Sequence, residues 1–304
     1  MADAGTDYRK YLDPQTLAKI SALDLRARMV VEGFVAGMHR SPYKGFNIEF
    51  AEHREYVQSD DIKHLDWKVL GRTDKYYIKQ YEEETNLHCV LVVDCSESMA
   101  YGSDPDGLTK HEYATATAAS LAYLALQQHD SVGLALFNEN VTHYLRPTNH
   151  STQWKTLVHE LEGATGPKKT SLRQVLDELV ERIGRRALIV LLSDLFDDSD
   201  EVLNGLKHLR YRRHDLIVLQ VMDPAELSFP FAKPTLFEGL EATGKLLTEP
   251  RALRARYLDE VKQFTERLRR GCRDLRIDFT QFDTRTSLSV ALSAYLATRG
   301  ASIK

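Results

Sequence analysis

The chain has 304 residues, of which 44 are acidic and 40 basic, giving a formal net charge of −4 at neutral pH. A chain of this length buries about three quarters of the surface of its unfolded form, and 43% hydrophobic with 28% charged residues is an ordinary globular composition. These figures exclude a disordered tail, a collagen-like fibre and a coiled-coil rod, and the near-neutral balance speaks against a dedicated nucleic-acid binder. The opening residues, Met1-Ala2-Asp3-Ala4-Gly5-Thr6-Asp7, are acidic and lack the apolar core of a signal peptide. The longest apolar runs, residues 187–192 and 216–219, fall far short of the ~20 residues of a membrane helix. Cys89, Cys95 and Cys272 form no CxxC pair, and an odd count suits a reducing compartment. A cytoplasmic protein is the expectation.

There is no internal repeat, but the texture changes near residue 86. Ahead of it, Leu17, Ile20, Leu23, Met29, Val30 and Phe34 fall roughly at helical spacing and predict a helix over residues 17–38. Residues 45–79 are aromatic and mixed in charge, with alternating pieces such as Phe46-Asn47-Ile48-Glu49-Phe50, and read as a small β-rich region. Residues 1–86 are therefore expected as an N-terminal segment ahead of a larger domain over residues 87–304.

In that larger part, apolar strands alternate with amphipathic helices. Residues 88–93 form a near-continuous apolar run, as in a strand covered on both faces. Thr109-x-x-Glu112 is a capping-box pattern opening a helix to about residue 128, with Ala114, Ala118, Leu121 and Ala125 on one face. Residues 132–137 and 141–145 predict two strands joined by the turn Asn138-Glu139-Asn140. Trp154, Leu157 and Leu161 mark a short helix, and Leu172, Leu176, Leu179 and Ile183 another. A buried strand over residues 187–192, a helix carrying Val202, Leu206 and Leu209, and a strand over residues 216–221 follow.

After a proline-rich connection (Pro224, Pro230, Pro234), the stripe Leu253, Tyr257, Val261, Phe264 and Leu268 predicts a helix with its basic residues on the solvated face. Residues 276–282 alternate as a strand, and Leu288, Leu292 and Tyr295 suggest a closing helix. The alternation predicts an α/β fold with a doubly wound, mostly parallel sheet and right-handed crossovers.

In such a sheet, ligands sit beyond the carboxyl ends of the strands, where strand order reverses. Three clusters lie there: Asp94-Cys95-Ser96-Glu97-Ser98, Thr170-Ser171 and Ser193-Asp194. Asp94, Ser96 and Ser98 alternate directly after a buried strand, so a turning backbone can aim three oxygens at one point. Asp194 leaves a neighbouring strand at the same height, and Thr170 can add a further hydroxyl. Carboxylate and hydroxyl oxygens are hard ligands suited to Mg²⁺ or Mn²⁺. The plainer alternative is that these are turn residues and helix caps, a role open to Thr170 and Ser171 in particular.

The stretch Val92-Val93-Asp94-Cys95-Ser96-Glu97-Ser98-Met99 resembles the first loop of a von Willebrand factor A domain. That resemblance implies a metal-ion-dependent adhesion site, with Ser96, Ser98 and Thr170 as hydroxyl ligands and Asp94 and Asp194 as carboxylates. It also implies an open coordination position that takes a carboxylate from a binding partner. Upstream, Gly45-Phe46-Asn47-Ile48-Glu49-Phe50, Arg54-Glu55-Tyr56, Ser59-Asp60-Asp61 and Leu65-Asp66-Trp67 resemble the signature of domain-of-unknown-function family 58, as does Phe237-Glu238-Gly239-Leu240-Glu241-Ala242-Thr243-Gly244. The chain departs from that pattern at Ser59, usually glycine, and at Lys168-Lys169-Thr170-Ser171, often Gly-Gly-Thr-Asp. Membership implies an adaptor working with a MoxR-type AAA+ ATPase.

Enzyme readings are the rivals. Asp94-x-Ser96 after a buried strand is similar to the Asp-x-Asp of haloacid-dehalogenase phosphotransferases, but Ser96 cannot supply the acid of the second position. No Gly-x-Ser-x-Gly elbow and no His-Glu-x-x-His occurs. Gly239-x-x-x-x-Gly244-Lys245 fits most of a P-loop, yet Leu246 replaces the magnesium-binding hydroxyl and no buried strand leads into it. The group Arg54, Tyr56, Asp61, Asp66 and Trp67 suits either an internal contact or a partner surface. The expectation is a non-enzymatic module that binds a partner's Asp or Glu through Mg²⁺ or Mn²⁺, without nucleic acid or membrane insertion.

Overall fold

The computed structural model describes residues 22–39, 53–55, 76–79, 87–163, 171–238, 245–290 and 292–293. The chain divides into two compact units, Met1–Gly37 with Asn86–Lys304, and Met38–Thr85. In the smaller unit, β1 (His53–Glu55) pairs antiparallel with β2 (Tyr77–Lys79), with Arg54 opposite Ile78. Tyr56, Asp61, Asp66 and Trp67 lie outside the described residues, as does the alternating stretch from Phe46 to Phe50.

Helix α1 spans Leu23–His39 and buries Leu23, Ala27, Val30 and Val31 along one stripe. The Leu23 N–H donates to Glu162 at 3.4 Å, and the Arg28 guanidinium lies 6.0 Å from the Tyr123 ring centroid, so this helix packs with the larger unit.

The larger unit is built on β3 (His88–Asp94), β4 (Ser131–Phe137), β5 (Val141–Thr148), β6 (Leu188–Ser193), β7 (Asp215–Met222) and β10 (Asp278–Asp283). They form one sheet in the order β10-β7-β6-β3-β4-β5, parallel throughout except for the antiparallel β4–β5 pair. That edge hairpin turns at Asn138–Asn140, where the sequence expects it. Its register shifts between Val132 and Leu134, where a Cβ on Gly133 would stand 2.7 Å from the Leu145 carbonyl oxygen. The bulge and the glycine are therefore one device: a close backbone approach that only a missing side chain allows.

Val90, Val92, Ile189, Leu191 and Val218 point to one face and join a core completed by α4 (Leu172–Arg182), α5 (Ser199–Tyr211) and the end of α7 (Pro250–Asp274). Cys89, Leu91 and Val93 alternate to the other face, against which α2 (Lys110–Gln127) packs, with α3 (Gln153–Gly163) beside it. Each fully buried aliphatic side chain contributes about 1.5–3 kcal/mol.

Helix α2 is buried far more widely than the single expected face. Ala116, Thr117, Ala119 and Ser120 are covered as well. Its small residues allow close approach, and its hydroxyls are satisfied internally, Thr117 donating to the Tyr113 carbonyl at 2.8 Å and Ser120 to that of Ala116 at 2.7 Å.

Two expectations are revised in the C-terminal third. The proline-rich connection carries a short helix, α6 (Pro224–Ser228), and a hairpin of β8 (Thr235–Glu238) with β9 (Lys245–Thr248). Lys245 thus opens a strand, not the helix a P-loop needs. In α7 the apolar stripe is buried only toward its C-terminal half: Leu268 is buried, whereas Leu253 is exposed. Leu288 and Leu292 are buried near the chain end, and Tyr295 lies outside the described residues.

Candidate metal centre

Strand β3 connects to β4 on one side while β6 lies on the other, so the sheet's switch point falls between the carboxyl ends of β3 and β6. Asp94 closes β3 after the apolar run Cys89–Val93, and the ladder holds it there: the next N–H, of Cys95, still donates to the Phe137 carbonyl at 2.8 Å. Beyond it the chain tightens into a 3₁₀ turn, Glu97–Ala100, anchored by fully buried Met99. The Met99 N–H donates to the Ser96 carbonyl at 3.2 Å. This turn brings Ser96 Oγ to 3.0 Å from Ser98 Oγ.

The Asp94 carboxylate is wholly buried. Its Oδ1 accepts the Ser96 N–H at 2.9 Å and its Oδ2 accepts the Ser193 hydroxyl at 2.6 Å. Ser193 Oγ in turn accepts the Leu195 N–H at 2.9 Å. Burial first, and the charge of Asp194 second, push the Asp94 carboxyl up to about 7, against the hydrogen bonds from Ser193 and Ser96.

Asp194 follows β6 and is also buried. Its Oδ1 accepts the Phe196 N–H at 3.2 Å, and its Oδ2 accepts the Lys110 ammonium at 2.9 Å. The turn here runs through Leu195 at φ 62°, a left-handed conformation that costs a non-glycine residue on the order of 1–3 kcal/mol. The buried Leu195 side chain, set in the core, offsets that strain.

Asp94, Ser96, Ser98 and Asp194 thus lie together at the carboxyl ends of β3 and β6. Thr170 lies outside the described residues. Ser171 is the N-cap of α4, but its side chain makes no capping bond. Instead the Leu172 N–H donates to Asp197 Oδ2 at 2.8 Å, which ties the start of α4 to the loop carrying Asp194.

The donors fit a small hard cation. All are oxygens, and ligands at adjacent corners of an octahedron with bonds of 2.0–2.1 Å lie about 3 Å apart, the separation of the two serine hydroxyls. Buried Gln220 donates to the Asp194 carbonyl at 3.2 Å, while its Oε1 has no hydrogen-bond partner among the described residues. Among the described residues no three His, Cys, Asp or Glu side chains gather into a metal-binding group, so a cation here would need the hydroxyls beside the two aspartates.

Sequence reasoning missed Lys110 and Glu226. The Lys110 side chain is fully buried, with Nζ 2.9 Å from Asp194 Oδ2 and 2.7 Å from Glu226 Oε1. Burial alone would push its ammonium down, but Asp194 and Glu226 outweigh that and hold it above the ordinary lysine value. The available signal was its position: Lys110 opens α2 directly after the Thr109 cap, where the helix dipole disfavours a cation. Glu226 had a similar sign, completing a capping box with Asp223 at the start of α6.

The chain belongs to the family described as protein of unknown function DUF58, whose model matches residues 52–267. It is 26% identical over 235 residues to the uncharacterized protein Rv1480 of Mycobacterium tuberculosis, covering 76% of this chain and 72% of that protein. Similar solved structures include the conserved hypothetical protein BatB from Bacteroides thetaiotaomicron, with TM-score 0.48, 15% identity, 71% of this chain and 99% of that one covered. Another is the SpRpn10 VWA domain, with TM-score 0.42, 12% identity, and 68% and 94% covered. No helix among the described residues is long and apolar enough to cross a membrane.

Proposed function

We propose that this protein is a cytoplasmic, non-enzymatic binding module that captures a carboxylate of a protein partner through a divalent cation. The observation that carries the reading is the pair of buried aspartates, Asp94 and Asp194, at the tips of adjacent parallel strands beside a converging pair of serine hydroxyls. Asp94, Ser96, Ser98, Thr170 and Asp194 would hold Mg²⁺ or Mn²⁺, which when bound supplies an open position for the partner's Asp or Glu.

Each remaining part belongs to the chain itself. Ser193 and the Ser96 N–H fix the Asp94 carboxylate, the 3₁₀ turn presents the two hydroxyls, and the Phe196 N–H orients Asp194. Phe196, partly exposed beside Asp194, offers the partner an apolar contact next to the charged one. The three cysteines are buried and unpaired, in keeping with a reducing compartment. The partner class implied by the family resemblance is a MoxR-type AAA+ ATPase, with this chain as its adaptor. A phosphotransferase using Asp94 as nucleophile is the less favoured reading, because Ser96 stands where the general acid is needed.

Thermal unfolding in EDTA against ~10 mM Mg²⁺ or Mn²⁺ tests the proposal, for wild type and Asp94→Ala. A ligand at a hundred times its Kd stabilises by about 2.7 kcal/mol, a rise of several degrees. The rise should occur in wild type and vanish in Asp94→Ala, which should also lose a carboxylate-bearing partner. No rise in wild type would refute the metal bridge.

A further inference from the structure

We propose that Lys110 is a tethered cation competing with divalent metal for Asp194, and so sets how tightly the centre holds metal. The inference rests on the metal-bridge reading and adds the device that regulates it.

Lys110 is not a surface residue that happens to reach a carboxylate. Its side chain is fully buried, and its Nζ lies 5.1 Å from the Phe196 ring centroid while it contacts the Asp194 and Glu226 carboxylates. Nothing local favours it at this position. Thr109 and Glu112 already close the capping box of α2, with the Glu112 N–H donating to Thr109 Oγ1 at 3.1 Å and the Thr109 N–H to Glu112 Oε2 at 2.9 Å. A cation in the first turn opposes the helix dipole. The tertiary partners therefore account for the residue type.

Those partners are themselves fixed. Glu226 Oε2 accepts the Asp223 N–H at 2.8 Å, leaving Oε1 for the ammonium. Asp223 accepts the Ala225 N–H at 2.7 Å and, from the loop ahead of α2, the Ser103 N–H at 2.9 Å. The ammonium thus bridges the loop after β6 and the start of α6.

Asp94 and Asp194 bring two formal negative charges to the centre, and the Lys110 ammonium offsets one of them where it contacts Asp194 Oδ2. Among the described residues Asp94 accepts from two neutral groups, the Ser96 N–H and the Ser193 hydroxyl, whereas Asp194 Oδ2 is already taken by Lys110. A metal drawn to Asp94 must share Asp194 with the ammonium, at a separation where like charges repel. Retention is then strengthened by added negative charge, which a partner's carboxylate supplies. Lys110 makes metal capture and partner capture mutually dependent.

The test is Mn²⁺ binding without any partner, read as free Mn²⁺ by electron paramagnetic resonance, for wild type, Lys110→Met, Lys110→Gln, Lys110→Arg and Asp94→Ala. Removing a unit charge a few ångströms from a divalent ion is expected to tighten binding about tenfold or more. Lys110→Met and Lys110→Gln should show that gain, Lys110→Arg should stay near wild type, and Asp94→Ala should lose binding. Lys110→Gln keeps a donor for the buried carboxylates and decides the matter if Lys110→Met does not fold. Binding unchanged or weakened in the charge-removed variants, with wild type and Asp94→Ala as expected, would overturn the competition while leaving the metal bridge standing. Absence of Mn²⁺ binding in wild type and every variant would overturn both.

Discussion

Replacing Asp94 by Asn should stabilise the metal-free protein at pH 8, although it removes a proposed ligand. The Asp94 carboxyl is fully buried, and burial together with the charge of Asp194 raises it from its ordinary 3.8 to about 7. That is roughly three units at about 1.4 kcal/mol each, so keeping Asp94 ionised costs the folded state on the order of 4 kcal/mol. The sign follows from proton counts. Between about pH 4 and 7 the folded protein holds a proton that the unfolded chain has released, so this group's contribution is most favourable below the unfolded value. It declines as pH rises and is lost above about 7. An amide cannot ionise and preserves the shape.

The advantage of Asp94→Asn should therefore be small near pH 4 and grow to several kcal/mol by pH 8. Urea unfolding in EDTA at pH 4.5, 6 and 8 measures it, since acid effects elsewhere are common to both proteins and cancel in the difference. In saturating Mg²⁺ the gap should close, because wild type alone has the full ligand set. A variant less stable than wild type at pH 8, or a difference that does not change with pH, would refute the argument that Asp94 is an uncompensated buried charge.

Two further substitutions test how the scaffold is held. Gly133→Ala should destabilise by about 1–3 kcal/mol, because its Cβ would stand 2.7 Å from the Leu145 carbonyl oxygen and 2.9 Å from the Pro147 nitrogen, both backbone atoms; a denaturation midpoint equal to wild type would contradict the close approach. Thr109→Ala should cost about 0.5–2 kcal/mol through loss of the α2 cap, read as an earlier denaturation midpoint. A null result there would mean that burial of α2, rather than its cap, fixes where the helix begins.

The strand–helix alternation was legible because parallel strands covered on both faces leave unbroken apolar runs, as at residues 88–93, and because capping chemistry is local, as at Thr109 and Glu112. The positions of Asp94 and Asp194 followed from the same logic: polar residues that end buried strands must lie at the sheet's carboxyl edge. The β8–β9 hairpin was not legible. Each strand has four residues, too short for alternation to separate it from a loop. The width of α2 burial was hidden for another reason. Alanine, threonine and serine carry little hydropathic contrast, so a helix enclosed on most sides reads like one with a single apolar stripe.

The ion pair beneath the crevice shows why a site read from motifs is incomplete. Asp194, in the loop after β6, and Glu226, in α6, are 32 residues apart, and Lys110 lies a further 84 residues before Asp194, so no spacing rule joins them. What joins them is the sheet, which brings the end of β6 near the end of β7 and sets the start of α2 against both. Such a contact leaves only an indirect mark on a sequence, namely a residue that its local setting disfavours. A lysine in the first turn of a capped helix is one, and a left-handed leucine directly after a buried aspartate is its structural counterpart. Both lie within one hydrogen bond or one peptide of Asp194. Local preference is overridden where tertiary structure gains from the override, and here the overrides converge on the carboxylate proposed to receive the metal.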